Sequence, residues 1–421
     1  MTDVGAAGIV RFPPERAVAV ARSFDLRALP ADFYDDPFPY YHALRERDPV
    51  MAMPDGSFLL TRYDDVNAVY RDTRTFSSDK HDEFKPKFGD TPLYAHHTTS
   101  LVFNDPPLHT RVRRIIAGAL TPRAIADMEP ALVQLVDRLL DGLASRGVVD
   151  LIADFAAAIP VEVIGNLLDV PHAERGPLRG WSLAILSALE PSPSRDVLAA
   201  GNQAVDGFIA YLENLVARRR QRPGDPETDV LTRLIFGESG GEPEGGRLSE
   251  AELLHNVIFI LNAGHETTTN LIGNGLHALC VWPDQRARLI AEPGLAESAV
   301  EEILRFESSN QLGNRRTTRD AALSGRALPA GSLITLVIGA ANRDPAQFPA
   351  PDRFDVGRTP NRHLAFGAGR HQCVGMTLAR LEGRVALERF LARFPGYRLA
   401  GAPVRGGRAR FRGFASLPAQ V

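Results

Sequence analysis

Cysteine is almost missing from this chain: only Cys280 and Cys373 occur in 421 residues, far apart and in no Cys-x-x-Cys pair. That excludes a disulfide scaffold and a cysteine-rich zinc or iron–sulfur site, and it fits a reducing compartment. An excess of one charge is missing too. With 48 Lys+Arg against 51 Asp+Glu and a formal net charge of −3, the chain lacks the basic surplus of a nucleic-acid binder. Nor is there a long apolar run. The most apolar stretches, Val257–Leu261 and Leu333–Ile338, fall far short of the ~18 residues of a membrane span. The first residues show no basic segment leading into an apolar one, so no secretory leader is read. Internal repeats are absent. A soluble, cytoplasmic protein without nucleic-acid or membrane partners is expected.

What is present is mostly helical pattern. Residues 1–25 read as an irregular, loosely held tail, and 26–421 as one domain. Val50–Met53 and Ser57–Leu60 flank Pro54-Asp55-Gly56 and predict a small hairpin. Apolar spacing of three and four predicts helices near 127–145, 153–168 and 195–220. The last of these ends in Arg218, Arg219, Arg220 and Arg222, cations suited to a helix C-terminus. A glycine-rich connection, Glu238–Gly246, follows. Ser249 and Glu252 then have capping-box spacing, and the apolar pattern runs on to about Cys280, a rod of roughly 47 Å. A strand-rich section is expected from Thr317 to about Ala340, then a helix from about Val374 to Ala392, then short strands. The fold class is mainly α with a minor β part.

The chemistry concentrates in two places. Residues 366–375 read Phe-Gly-Ala-Gly-Arg-His-Gln-Cys-Val-Gly, a loop that brings Cys373 to the predicted first turn of a helix, where free N–H groups stabilise a thiolate. Gly367, Gly369 and Gly375 remove side chains around the sulfur, as needed where a large flat ligand lies on the backbone. Phe366 supplies an apolar wall, and Arg370 and His371 supply positive charge. The second place is the middle of the long helix, Ala263-Gly264-His265-Glu266-Thr267-Thr268-Thr269. Glycine and threonine are poor helix formers in such a position, and a threonine hydroxyl can bond the carbonyl one turn back. Asn256, Ile260, Ala263 and Thr267 share a face. Ala263 and Gly264 leave room for a flat group, with Thr267 beside it and Glu266 behind.

Together these motifs resemble the cytochrome P-450 family, haem-thiolate monooxygenases of the soluble bacterial type, over nearly the whole chain from about Asp36. The resemblance implies a single-domain P-450 fold, with haem b between the long helix and the cysteine-loop helix. It implies Cys373 as axial ligand of the haem iron, within a loop of Phe366, Gly367 and Gly375. His109 and Arg113 in Asp105-Pro-Pro-Leu-His-Thr-Arg-Val-Arg113, with Arg315 and His371, match the partners of the haem propionates. Glu302-Ile-Leu-Arg305 resembles the family's Glu-x-x-Arg helix, with Arg353 completing a structural charge network. Glu266 and Thr267 resemble its catalytic acid–alcohol pair.

By the same resemblance the enzyme inserts one atom of O2 into a small organic substrate, as hydroxylation or oxidative demethylation. A separate iron–sulfur ferredoxin with its reductase donates the electrons to what is expected to be a monomer. Ala263, Thr267, Asn310 and Leu312 are candidate pocket residues. Asn310 stands where the family usually has an apolar residue, and a polar group there suits a substrate that hydrogen-bonds. A peroxide-driven peroxygenase, a haem-thiolate isomerase or dehydratase, and a haem-binding sensor are the alternatives. His96, His97 and His265 show no ligand pattern.

Overall fold

One helix, Glu250–Val281, runs through the centre of the protein and the other elements are laid against it. The computed structural model describes residues 11–226, 229–237 and 247–421; the glycine-rich connection at 238–246 lies outside the described residues. The helix starts where the sequence predicts. The Ser249 hydroxyl accepts the Glu252 N–H, and the Glu252 carboxylate accepts the Ser249 N–H at 2.8 Å. Its 32 residues make a rod of roughly 48 Å. From Leu253 to Leu276 nearly every side chain is buried, which requires neighbours on all sides. Helices Ala158–Leu167, Leu178–Ser187 and Arg195–Gln221 supply them on one flank, Ala296–Phe306 and Met376–Arg393 on another.

The β part is smaller. Its main sheet has five strands in the order Val50–Ala52, Phe58–Leu60, Leu333–Val337, Leu312–Thr317 and Phe76–Ser77. All neighbours are antiparallel except Phe58–Leu60 with Leu333–Val337. The first pair is the predicted hairpin. One large apolar core surrounds the long helix, and two smaller ones lie on the two faces of the sheet.

Several boundaries differ from expectation. Residues 14–23, read as irregular tail, form a helix packed on Phe38–Arg47; Pro14 at its start and an edge-on contact of Phe12 with Tyr40 fix it in place. The strand-rich section begins earlier, at Leu312, and ends at Val337, because Ile338–Ala341 turns helical. The last long helix begins only at Met376, so Cys373 sits in the loop ahead of it rather than in its first turn.

The expected charge network exists with one change of member. Glu302 and Arg305 are fully buried and joined by two 2.7 Å bonds, one turn apart on the helix. The third side chain is Arg358, whose Nε reaches both Glu302 oxygens at 3.1 and 3.2 Å. Arg353 gives only its carbonyl, to Arg305 and Arg358, and its own side chain is exposed. The turn at 351–353 points that side chain outward, whereas the chain has come back over Glu302 by residue 358.

Two stability predictions follow from this packing. Removing one partner of a buried charge network leaves the other charge unpaired and costs about 3 kcal/mol or more. Arg358→Met should therefore lower stability by about that amount in urea unfolding of the haem-loaded protein, and Arg353→Met by no more than about 0.5 kcal/mol; equal losses would contradict the assignment. The second concerns Glu382 on the last long helix. It is buried, its Oε2 has no hydrogen-bond partner, and burial pushes its pKa up to about 8. The unfolded carboxyl ionises from about pH 4.5 while the folded one keeps its proton to about 8. Between those values the folded state holds the extra proton, so stability falls as pH rises. The melting temperature of wild type relative to Glu382→Gln should drop steadily across that window and level off above it.

Candidate active site

The cysteine loop is closed by its own backbone. The Cys373 N–H donates to the Phe366 carbonyl at 2.9 Å, Gly367 N–H to Leu364 at 2.8 Å, and Gln372 N–H to Gly369 at 3.1 Å. Gly369 has φ +69°, and a Cβ there would lie 2.6 Å from the Tyr70 carbonyl oxygen, so only glycine fits. Phe366 lies under the Arg380 guanidinium, 4.9 Å from the ring centre. Cys373 is deep in the protein yet exposed, as a side chain facing an internal cleft is. Burial pushes its thiol up; the Gly375 N–H, Arg113 and Arg380 act the other way. A cation bound at the sulfur would remove the proton outright.

Next to this loop, groups that favour an anion converge. The rings of His109 and His371 stack at 3.9 Å. Neither ring nitrogen of His109 has a partner, and the Nε of Arg315 has none. Burial and the nearby arginines hold His109 down to about 4. Arg315 lies over the Tyr70 ring at 5.1 Å and spends one bond on the Asn314 carbonyl at 2.7 Å. Buried donors without acceptors are costly unless a ligand supplies them, and a pair of carboxylates between a flat group and these three residues would do so. The residues present therefore fit a haem with its propionates.

The long helix offers a matching wall. Within its buried run, Phe259, Ala263, Gly264 and Thr267 remain partly accessible, and Phe259, Ala263 and Thr267 at four-residue spacing give one face of the helix open to a cleft. The Thr267 hydroxyl donates to the Ala263 carbonyl at 2.7 Å, and Thr269 repeats the bond to His265 at 3.0 Å. Gly264 lies at the edge of this face. A Cβ on it would stand 2.6 Å from the Ile164 side chain, so glycine here also lets helix Ala158–Leu167 approach closely. Glu266 is buried and ion-paired with Arg408 of the C-terminal loop.

Of the other pocket candidates, Asn310 makes a backbone bridge to Phe411 and keeps its Oδ1 sealed without a partner. Leu312 is a core residue instead. It is buried in the cluster of Tyr41, Met51 and Val337, on the sheet face toward the N-terminal helices. Strand alternation then turns Gly313 and Arg315 to the opposite face, toward Tyr70.

Three contributors were not anticipated from the sequence: Arg408 on Glu266, Ser309, whose hydroxyl donates to the Thr267 carbonyl at 2.8 Å, and Arg410, which ties the C-terminal loop to Leu189 and Leu312. No local signal marks these three, because each meets its partner across a large separation in the sequence.

A family model described as Cytochrome P450 matches residues 194–396. The vitamin D(3) 25-hydroxylase of Pseudonocardia autotrophica is 41% identical over 372 residues, 87% of this chain and 89% of its own. The 6-deoxyerythronolide B hydroxylase of Saccharopolyspora erythraea is 36% identical over 378 residues, 87% and 91%. Among solved structures, P450BioI in complex with a hexadec-9Z-enoic acid ligated acyl carrier protein superposes with TM-score 0.86 at 32% identity, covering 93% of this chain and all of that one. CalO2 gives 0.86 at 33%, covering 94% and 98%. With likeness of this extent in both sequence and fold, the chain belongs to the cytochrome P450 monooxygenases, a family whose cofactor is haem b.

Proposed function

We propose that this enzyme hydroxylates or oxidatively demethylates a small organic substrate with O2 and electrons from a separate ferredoxin and its reductase, acting as a monomer in the cytoplasm. The observation that carries the reading is the open helix face of Phe259, Ala263 and Thr267, in a protein whose cysteine thiol also faces an internal cleft. Haem, when bound, supplies the activation of dioxygen and the delivery of one oxygen atom to carbon.

The chain's own residues hold, orient and protonate. Cys373 holds the iron; Phe366, Gly367 and Gly375 shape its loop; His109, Arg113, Arg315 and His371 hold the propionates. Thr267 spends its one O–H on Ala263, which leaves its oxygen as an acceptor fixed at the cleft wall. Glu266, buried behind Thr267, is the carboxylate offered as the proton relay, and Arg408 pairs with it from the C-terminal loop. Ala263 leaves the space in which the substrate lies. Around Cys373, Arg114 and Arg370 are exposed and are offered as the docking surface for an acidic donor protein. Large exposed apolar side chains are few and scattered among the described residues (Val148, Phe236, Ile290, Val404), which supports the monomer.

Two experiments test this. In the reduced protein with carbon monoxide, the red-shifted absorption of thiolate ligation should be present in wild type and Cys280→Ala and lost in Cys373→Ala; its survival in the last would end the assignment. In a reaction reconstituted with ferredoxin, reductase and reductant, Thr267→Ala should bind substrate within about twofold of wild type. Product per electron should fall about tenfold or more and hydrogen peroxide should appear instead, the pattern of an interaction used late in turnover. Full coupling in the variant would return Thr267 to a helix residue, and equal product with peroxide alone would favour the peroxygenase.

A further inference from the structure

Beside the cleft, the end of helix Leu178–Ser187, helix His81–Phe88 and the C-terminal loop are joined by charge. Lys87 Nζ donates to the Glu190 carbonyl oxygen at 2.8 Å. Arg410 donates from Nε to the Leu189 carbonyl at 3.0 Å, from Nη1 to the Leu312 carbonyl at 2.7 Å, and from Nη2 to the Asn314 amide oxygen at 2.5 Å. The Glu190 carboxylate is spent on the N–H groups of Ala409 and Arg410. So both cations bond only to neutral oxygens, and among the described residues neither has a carboxylate at ion-pair distance from its side chain.

Both are half-buried, so part of each side chain remains open to a ligand. Lys80, buried nearby, is satisfied by Glu83. Three cations thus stand against two carboxylates, with Arg315 already committed to the propionate group. The excess is felt: burial and the Arg410 charge lower the Lys87 ammonium to about 8. Around Lys87 the wall is aromatic. Phe84 packs edge-on against Phe88 and Phe103 at 5.1 Å, and Lys87 lies 5.3 Å over Phe88.

We propose that Lys87 and Arg410 form an anion subsite in the substrate cleft, and that the substrate is a small carboxylic acid with an apolar body. The inference rests on the reading that the cleft beside Thr267 takes the substrate. The connection is short: Gln311 N–H donates to the Arg410 carbonyl at 2.8 Å, Arg412 N–H to Ser309 at 2.8 Å, and Ser309 to the Thr267 carbonyl at 2.8 Å. A carboxylate between the two cations supplies the charge-assisted bonds that carbonyls cannot, while the phenylalanines cover its hydrocarbon part. An uncharged substrate would leave both cations unmatched.

The test uses the haem-loaded protein, titrated with aryl- and alkyl-carboxylic acids and with the methyl ester and primary amide of each, followed by haem absorption and by calorimetry. Acids should bind at least about tenfold tighter than their esters and amides, the size of one charge-assisted hydrogen bond. Lys87→Gln and Arg410→Gln should each remove most of that preference and leave ester affinity within about twofold, while Arg410→Lys keeps it. If Arg410→Gln does not take up haem, Lys87→Gln decides, since its side chain makes a single hydrogen bond. Esters binding as tightly as acids in wild type, or a preference unchanged in Lys87→Gln, would overturn the proposal. In that case both ligand types would still shift the haem spectrum and the cleft reading would stand. Acids that bind in calorimetry without any spectral shift would overturn the cleft reading and the subsite with it.

Discussion

The Glu302 carboxylate is the contact on which the rest of the active region depends. It has no exposure, and its oxygens collect N–H groups from Arg305, Arg358, Asn361 and the backbone of Asp355. A buried carboxylate survives only with such a set. Because those donors come from residues 305 to 361, the same contact freezes the irregular stretch ahead of the cysteine loop. Arg305 fastens the carbonyls of Asn342 and Pro351 at 3.0 and 2.7 Å, and the Asn342 side chain accepts the Leu364 N–H at 2.7 Å. Two residues later the loop of Cys373 begins.

The long helix meets the opposite demand. It must be buried on nearly all sides and still present polar groups at its middle. Sharing these tasks out by angle resolves the conflict. Ile164 packs over Gly264, the face of Ala263 and Thr267 stays open, and Glu266 on the other side of that face is paired. Arg408 brings the countercharge from the far end of the sequence. Poor helix formers in mid-helix are tolerated because tertiary packing, not local propensity, holds the segment.

How much of this was legible in the sequence follows from the range of each interaction. Local signals read well: the Ser249–Glu252 capping box, the hairpin across Pro54–Gly56, the Glu302–Arg305 turn and the Thr267–Ala263 bond are all set within four residues or a tight turn. Errors came where direction in space decides. Arg353 and Arg358 are equally basic, and only the course of the loop shows which one returns to Glu302. Leu312 and Gly313 differ by one place on a strand and therefore face opposite sides. Lys87, Glu190 and Arg410 meet from three separated stretches, and nothing in any one of them announces the others.

The close seat of Gly369 on the Tyr70 carbonyl has a consequence for assembly. The two residues come from the first and last quarters of the chain, and the backbones approach so closely that neither segment can take its final course alone. Contacts of such separation carry a large closure entropy and form slowly. The loop that presents Cys373 therefore has its final shape only with the N-terminal quarter in place, so loosening the Tyr70 segment would loosen the cysteine loop as well.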